Sequence, residues 1–292
     1  RNFRFAALHY SFFALFLLVL SCSKEQSSAP NKGEIVVVAD ESFKNVTTAL
    51  AERYMAFYPD TKINVRFQKE DYALMDLLKQ NVRVVIMSRE LTNKEKKLYK
   101  EMVDMPLEPA RFAGDATVFI VAKNSPRNSI TIDEIRSELL SDQKKIIFDG
   151  ARTGNFNFIS QKLNIKPEEM KFSVIKGNEN VINEINNYPE SIGVISYNTI
   201  SNPYTKEAAR LRDQVKILQV VDKKGVASLP NQENIRHMKY PFTSILYFLT
   251  NEGYFGLGNG FIRFSCTQVG QIVVSKEGLQ PYNIFKREVQ MR

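Results

Sequence analysis

Histidine and cysteine are nearly missing from this chain, and their scarcity removes whole classes of chemistry. The two histidines, His9 and His237, lie far apart, so neither an imidazole metal site nor a Ser/His/Asp catalytic set has the residues it needs. Two cysteines, Cys22 and Cys266, are too few for a disulfide framework, and no Cys/His spacing suits zinc. Cys266 sits in the apolar pattern Phe261-Ile262-Arg263-Phe264-Ser265-Cys266, which reads as a buried structural thiol. Carboxylates are plentiful but unclustered. Asp40 and Glu41 are adjacent, and side chains on successive strand residues diverge rather than pair as acid and base. The chain is read as not an enzyme, with no catalytic residues, no metal and no cofactor. It carries no repeat at a fixed period and no extended low-complexity segment.

What is there begins with an export pattern. Arg1 and Arg4 precede an almost wholly apolar stretch, Leu8 to Leu20, that is too short to span a bilayer and stops at Ser21-Cys22. Residues 1–21 are therefore expected to be a signal peptide. Val19-Leu20-Ser21-Cys22 resembles a bacterial lipobox, in which the cysteine is lipidated and becomes the mature N-terminus; an ordinary signal peptide with an incidental cysteine is the other reading. Arg1 is not a starting Met, so residues upstream are expected. The localisation read here is a lipoprotein of the bacterial cell envelope, facing the periplasm and held to a membrane through lipidated Cys22.

Residues 22–33 then form a polar tether, Ser23 to Gly33 reading SKEQSSAPNKG. Losing Arg1 and Arg4 would lower the formal net charge of +8 by two charges. The remaining modest excess suits attraction to anions or to an anionic membrane surface. Basic and acidic residues are interspersed, which argues against nucleic acid as a partner. About 260 residues remain, enough for one large domain or two lobes with real cores.

Those residues alternate between two periods. Glu34 to Asp40 (EIVVVAD) is a β-branched run that reads as a buried parallel strand. Phe43, Val46, Leu50, Tyr54 and Phe57 mark one helical face, with Ser42 placed to cap it. Further strands are expected at Lys62–Gln68, Val82–Met87, Ala116–Lys123, Lys145–Phe148, Ile192–Ser196, Val215–Val221 and Phe242–Leu249. Helices are expected at Asp71–Lys79, Asn155–Leu163, Val181–Asn187 and, once or twice, within Gly256–Val274. Thr92-Asn93-Lys94-Glu95 and Thr131-Ile132-Asp133-Glu134 spell capping boxes that open two more. Such alternation predicts an α/β fold with mostly parallel sheets.

In open α/β sheets ligands sit at the carboxyl ends of strands, where helix N-termini present free backbone N–H groups. Three turns have that placement: Asp40-Glu41-Ser42-Phe43, Ser88-Arg89-Glu90, and Asp149-Gly150-Ala151-Arg152-Thr153-Gly154-Asn155. Ser42 and Thr153 also read as plain N-caps, and Arg89 as the partner of acids near Glu90. Tyr240 and Tyr254-Phe255-Gly256-Leu257 read as buried aromatics near a hinge; exposed, they would suggest a protein partner.

Together with Val84–Thr92 (VVIMSRELT), Ala113-Gly114-Asp115-Ala116, Tyr188–Ile195 (YPESIGVI), Lys239-Tyr240-Pro241-Phe242, Gly258–Ile262 (GNGFI), Gly270–Val274 (GQIVV) and Gly278-Leu279-Gln280-Pro281, these turns give the chain a family resemblance. It resembles the type II periplasmic solute-binding proteins, in particular the PstS-like phosphate-binding lipoproteins, over nearly all of Glu34 to Pro281. The resemblance implies two α/β lobes, residues 34–110 plus 244–292 and residues 111–243, with hinges near Arg111 and Thr243 and a ligand cleft between the lobes. It implies ligand binding by Ser42, Phe43, Arg89, Arg152, Thr153 and Gly154. Where the family carries an arginine, this chain has Asp149, and Arg152 is the nearby substitute; Ser244 likewise stands where relatives often have an arginine.

Two functions follow as expectations. One is a lipoprotein that binds a small oxyanion, most simply phosphate, as the solute-binding component of an ABC-type importer with a permease partner. The other is a degenerate solute-binding fold acting as an interaction or scaffold subunit of an envelope machine, for example one associated with TonB-type energy transduction or secretion. Convergence of Arg89, Arg152 and Thr153 on one cavity would favour the first; an Asp149 pointing into that cavity unpaired would favour the second.

Overall fold

The computed structural model describes residues 29–285. The expected signal peptide, the lipidated Cys22 and most of the tether lie outside the described residues. Among the described residues no helix is long and apolar enough to cross a membrane.

Lobe 1 opens with β1 (Gly33–Ala39), flanked in parallel by β2 (Thr61–Phe67) and β3 (Val84–Met87). α1 (Lys44–Phe57) and α2 (Glu70–Leu78) make the crossovers, and α3 (Asn93–Val103) follows β3. β4 (Ala110–Ala122) then runs for 13 residues out of lobe 1 and into lobe 2. Lobe 2 adds β5 (Ser129–Thr131), α4 (Ile132–Leu140), β6 (Ile146–Phe148), α5 (Gly154–Leu163), β7 (Ser173–Val174), α6 (Asn178–Glu184) and β8 (Ile192–Ser196). After these come α7 (Lys206–Asp213), β9 (Val215–Ile217), β10 (Gln219–Val221), β11 (Ala227–Ser228) and α8 (Gln232–Arg236). β12 (Thr243–Thr250) returns the chain to lobe 1, which α9 (Leu257–Cys266), α10 (Gln268–Lys276) and β13 (Gln280–Pro281) complete.

The main sheet runs β2-β1-β3-β12-β4-β8-β6-β7. Its pairing is mixed, where alternation alone leads to mostly parallel sheets. Parallel pairs hold within β2-β1-β3 and within β8-β6-β7, and a separate small sheet, β11-β10-β5, pairs β5 with β10 in parallel. β12 pairs antiparallel with both β3 and β4, and β4 antiparallel with β8. The cause is the double passage between lobes, because two strands crossing in opposite directions must lie antiparallel. β12 slips register against β4 between Leu246 and Tyr247.

Strand alternation sends side chains to both faces of each sheet. In lobe 1, Val37 and Ala39 pack with Leu50, Tyr54 and Phe261 from α1 and α9, while Val38 packs on the other face with Leu74, Leu77 and Tyr99 from α2 and α3. A third cluster spans Ala116 to Phe242 and fills lobe 2 around Phe119, Phe148 and Phe156. Burying each such large side chain stabilises by about 1.5–3 kcal/mol. Both capping boxes form, Thr92 with Glu95 and Thr131 with Glu134.

Several local expectations need correction. Ser42 does not cap α1; Asp40 caps a short 3-10 turn, Glu41–Phe43, and α1 starts after it with no side-chain cap. Val215–Val221 is two strands, because Val215–Ile217 pairs with β4 and Gln219–Val221 with β5; Leu218 between them still donates its N–H to Phe119 O at 2.8 Å. The tether ends earlier than Gly33: Pro30 packs over Gly260, and Tyr54 Oη donates to Pro30 O. Tyr240 is buried, but Tyr254 and Phe255 are about half exposed. Cys266 is a half-buried free thiol, pushed up by burial to about 11.

Candidate functional site between the lobes

The carboxyl ends of β1, β3, β6 and β8 face one another across the lobes, so their turns meet there. Asp40, at the end of β1, is fully buried and gathers three backbone donors. Its Oδ1 accepts from Ser42 N at 3.0 Å, and its Oδ2 from Glu70 N and Gly154 N at 3.0 Å each. Glu70 and Gly154 open α2 and α5, so one carboxylate of lobe 1 closes two helix N-termini, one of them in lobe 2. This is the place where a helix start ordinarily receives an anion.

A second carboxylate answers from lobe 2. Asp149 Oδ2 accepts from Ser42 Oγ at 3.2 Å, Asn155 Nδ2 at 3.3 Å and Asn178 Nδ2 at 3.0 Å, while Oδ1 takes Thr153 Oγ1 at 2.9 Å. Thr153 also caps α5 through Phe156 N. Gly154 has no room for a side chain, since a Cβ there would stand 2.7 Å from the tip of the Phe43 ring. That close approach brings Phe43 of lobe 1 against the backbone of lobe 2 at the centre of the cleft.

The third group is acidic. Glu70, with no exposed surface, accepts from Ser88 N and Ser88 Oγ at 2.8 Å and from Asn157 Nδ2 at 3.2 Å. Its remaining partner is Arg89, whose Nε lies 3.2 Å from Glu70 Oε2 while its two Nη atoms bind Glu95 at 2.8 and 2.9 Å. Asp71 Oδ1 stands 3.3 Å from the same guanidinium. Burial opposes the Arg89 charge, but Glu95, Glu70 and Asp71 outweigh it and hold the guanidinium well above its usual range.

Six residues were expected to grip a ligand. Ser42, Phe43, Thr153 and Gly154 come together, but the Phe43 amide donates to Asp40 O at 2.9 Å and the others are engaged by Asp40 and Asp149. Arg89 is turned into the acidic group of its own lobe, drawn there by three carboxylates. Arg152 is exposed, in a left-handed backbone position (φ 66°), with no ion pair among the described residues. The two arginines and Thr153 therefore do not share a cavity. Sequence reasoning noted Asp40 and Asp149 as turn residues but missed Glu70, Asn157 and Asn178 as members of the site. Glu70 was legible as an acid in the first turn of α2; Asn178 had no signal beyond its place after Gly177.

The electrostatics follow from burial. Desolvation raises Asp40, and repulsion from Asp149 adds to it. Desolvation also raises Asp149 and Glu70, against hydrogen bonds to the first and the Arg89 charge beside the second. An added phosphate dianion would face these acids, and like charges disfavour it. A void of about 10 Å³ borders Ser42, Asn178 and Asn198, the room of about one water molecule. Asn198 Nδ2, buried there, has no partner among the described residues. The lobes are also tied at the cleft's edges, by Asn157 Nδ2 to Asp71 at 2.7 Å and by Gln161 Nε2 to Glu90 O at 2.9 Å. Among the described residues no group of three or more His, Cys, Asp or Glu could hold a metal ion.

Behind the cleft, Asp115 on β4 anchors the end of β8: it accepts from Ser196 Oγ at 2.7 Å and Asn198 N at 3.1 Å. Burial raises it from 3.8 to about 7 against those hydrogen bonds. The native protein thus keeps a proton that the unfolded chain has lost, so stability falls as pH rises from about 4 to about 7; Asp40 and Asp149 act in the same direction. The melting temperature is expected to drop by roughly 5 °C between pH 5 and pH 8, and Asp115→Asn to make that drop smaller. Calorimetric scans at the two pH values check both.

A two-lobed sheet crossed twice by the chain, with helix N-termini meeting at the strand ends, can be compared with known proteins. A family model described as the PBP superfamily domain matches residues 24–268. The chain belongs to this superfamily of periplasmic-binding-protein domains. Among solved structures it is similar to a Clostridium perfringens substrate-binding protein carrying bound phosphate, at 20% identity and a TM-score of 0.70, covering 86% of this chain and 100% of that one. It is also similar to an ABC-type phosphate transport receptor from Vibrio cholerae, at 16% identity and a TM-score of 0.64, covering 85% and 100%. PstS from Borrelia burgdorferi aligns at 21% identity and 0.53, covering 86% and 99%. These likenesses establish the type II periplasmic-binding fold. No curated protein sequence matches the chain.

Proposed function

We propose that this superfamily member is an envelope lipoprotein whose solute-binding fold works as an interaction subunit, its cleft held shut by its own carboxylates. One observation carries this reading: Asp40 of lobe 1 occupies the Gly154 N–H of lobe 2, the position a bound anion would take. Asp149 engages the Ser42 and Thr153 hydroxyls in the same way. The cleft is a lock between lobes, and catalysis has no place in it. The partner is a component of an envelope machine.

A second reading is favoured by a specific observation as well. Ser42, Phe43, Thr153 and Gly154 stand together at one helix start, and a similar fold from Clostridium perfringens carries phosphate. In this reading lobe opening frees those donors for phosphate or a related oxyanion, Arg89 and Arg152 join them, and an ABC-type permease receives the cargo.

Isothermal titration of the purified mature protein with phosphate, then sulfate, separates the two. The lock reading expects no heat of binding from either anion at millimolar concentration, and capture of an envelope protein in crosslinking pull-downs. Micromolar phosphate binding would hand the cleft to the second reading.

A further inference from the structure

The pole of lobe 1 opposite the cleft carries an aromatic surface that the cleft does not explain. Phe57 and Tyr58 end α1, and both lie against Phe264 of α9, with ring centroids 5.6 and 6.4 Å apart. Phe255 continues the patch, under the guanidinium of Arg263 at 5.7 Å, and Tyr254 follows it. At the other end Arg53 stands 4.8 Å over the Phe57 ring. Phe57, Tyr254 and Phe255 are each about half exposed. Between them runs a groove of about 500 Å³ whose wall includes Pro30 and Asn31.

Those last two residues say what faces the groove. They are where the chain enters the fold, and Cys22 lies eight residues before Pro30. Even fully extended, eight residues reach only about 28 Å. A lipid on Cys22 would hold the chain's entry point, and the pole around it, within about 28 Å of the bilayer. Aromatic rings with apolar bodies, flanked by arginines, match the headgroup boundary of a membrane containing anionic lipid.

We propose that the groove lined by Phe57, Tyr58, Phe255 and Phe264 docks on the membrane surface, with Arg53 and Arg263 meeting anionic headgroups. Docking fixes the molecule upright, its cleft turned away from the bilayer. The proposal rests on the lipid-anchor reading above.

The chain has no tryptophan, so Phe255→Trp introduces a single indole at the groove. Tyr188→Trp, in the turn before β8 at the far pole of lobe 2, serves as the reference. Each lipidated mature protein is reconstituted into vesicles of phosphatidylethanolamine and phosphatidylglycerol with brominated acyl chains. Docking is expected to give a blue-shifted, quenched emission for Phe255→Trp and an unshifted, unquenched one for Tyr188→Trp. Equal, unquenched emission from both variants on vesicles that carry the protein overturns docking while the anchor stands, and points instead to a protein partner for the groove. Protein that fails to float with the vesicles removes the anchor and the docking proposal together.

Discussion

Asp40→Ala is expected to be one of the two most destabilising single changes at the cleft. The substitution strips the acceptor from three backbone N–H groups at once, those of Ser42, Glu70 and Gly154. A buried donor left unpaired costs about 1–3 kcal/mol. Relief of the repulsion with Asp149 returns part of that, leaving a net loss of about 4 kcal/mol, or roughly 10 °C in melting temperature for a protein of this size. The vacated space is shaped for a carboxylate. Formate should therefore restore part of the loss in Asp40→Ala, beyond a chloride control, and leave the wild type unchanged. Thermal melts with and without formate make the check. An unaltered melting temperature for the variant would mean that the three donors do not depend on Asp40.

Arg89→Ala is the second large effect, and its character separates a structural role from ligand binding. Among the described residues the guanidinium is the one cation bound to Glu70, Asp71 and Glu95 together. Removing it strands a fully buried Glu70, and breaking a buried ion pair from one side costs about 3–5 kcal/mol. Denaturant unfolding should show that loss, and adding Glu70→Gln to Arg89→Ala should recover much of it, because the neutral amide no longer needs the cation. Arg152→Ala touches an exposed side chain and should stay within about 0.5 kcal/mol of wild type. If Arg89 and Arg152 were equal partners in an anion site, the two variants would instead lose ligand together with little change in stability.

The fold was legible where local pattern and burial agree. The β-branched run of β1, the i, i+3, i+4 face of α1 and both capping boxes follow from residue spacing alone, and each forms. The turns at Ser42, Thr153 and Gly154 were legible as strand-to-helix junctions for the same reason. Their occupants were not. Asp40 and Gly154 are 114 residues apart, and nothing local says that one lobe will present a carboxylate to the helix start of the other. Arg89 illustrates the same limit: its turn was placed correctly, but the competition between a cleft ligand and Glu70, Asp71 and Glu95 is settled by distances across the tertiary fold. The short strands β7, β11 and β13 escaped notice because two residues carry no periodicity.

The lock also gives the buried acids a shared logic. Asp40 and Asp149 cross between lobes, Glu70 binds Arg89 while its neighbour Asp71 reaches Asn157 of α5, and Asp115 pins the end of β8 beside Asn198. Asp40 and Glu70 in particular accept from buried backbone N–H groups, those of Ser42, Gly154 and Ser88, that would otherwise lack partners. In the lock reading this network takes the place of a bound ligand in keeping the lobes together.

Small-angle X-ray scattering of the mature protein, before and after addition of millimolar phosphate, tests this most directly. A closed envelope matching residues 29–285 in both samples, with no change in radius of gyration, is the expected result. An open envelope that contracts when phosphate is added would contradict the account.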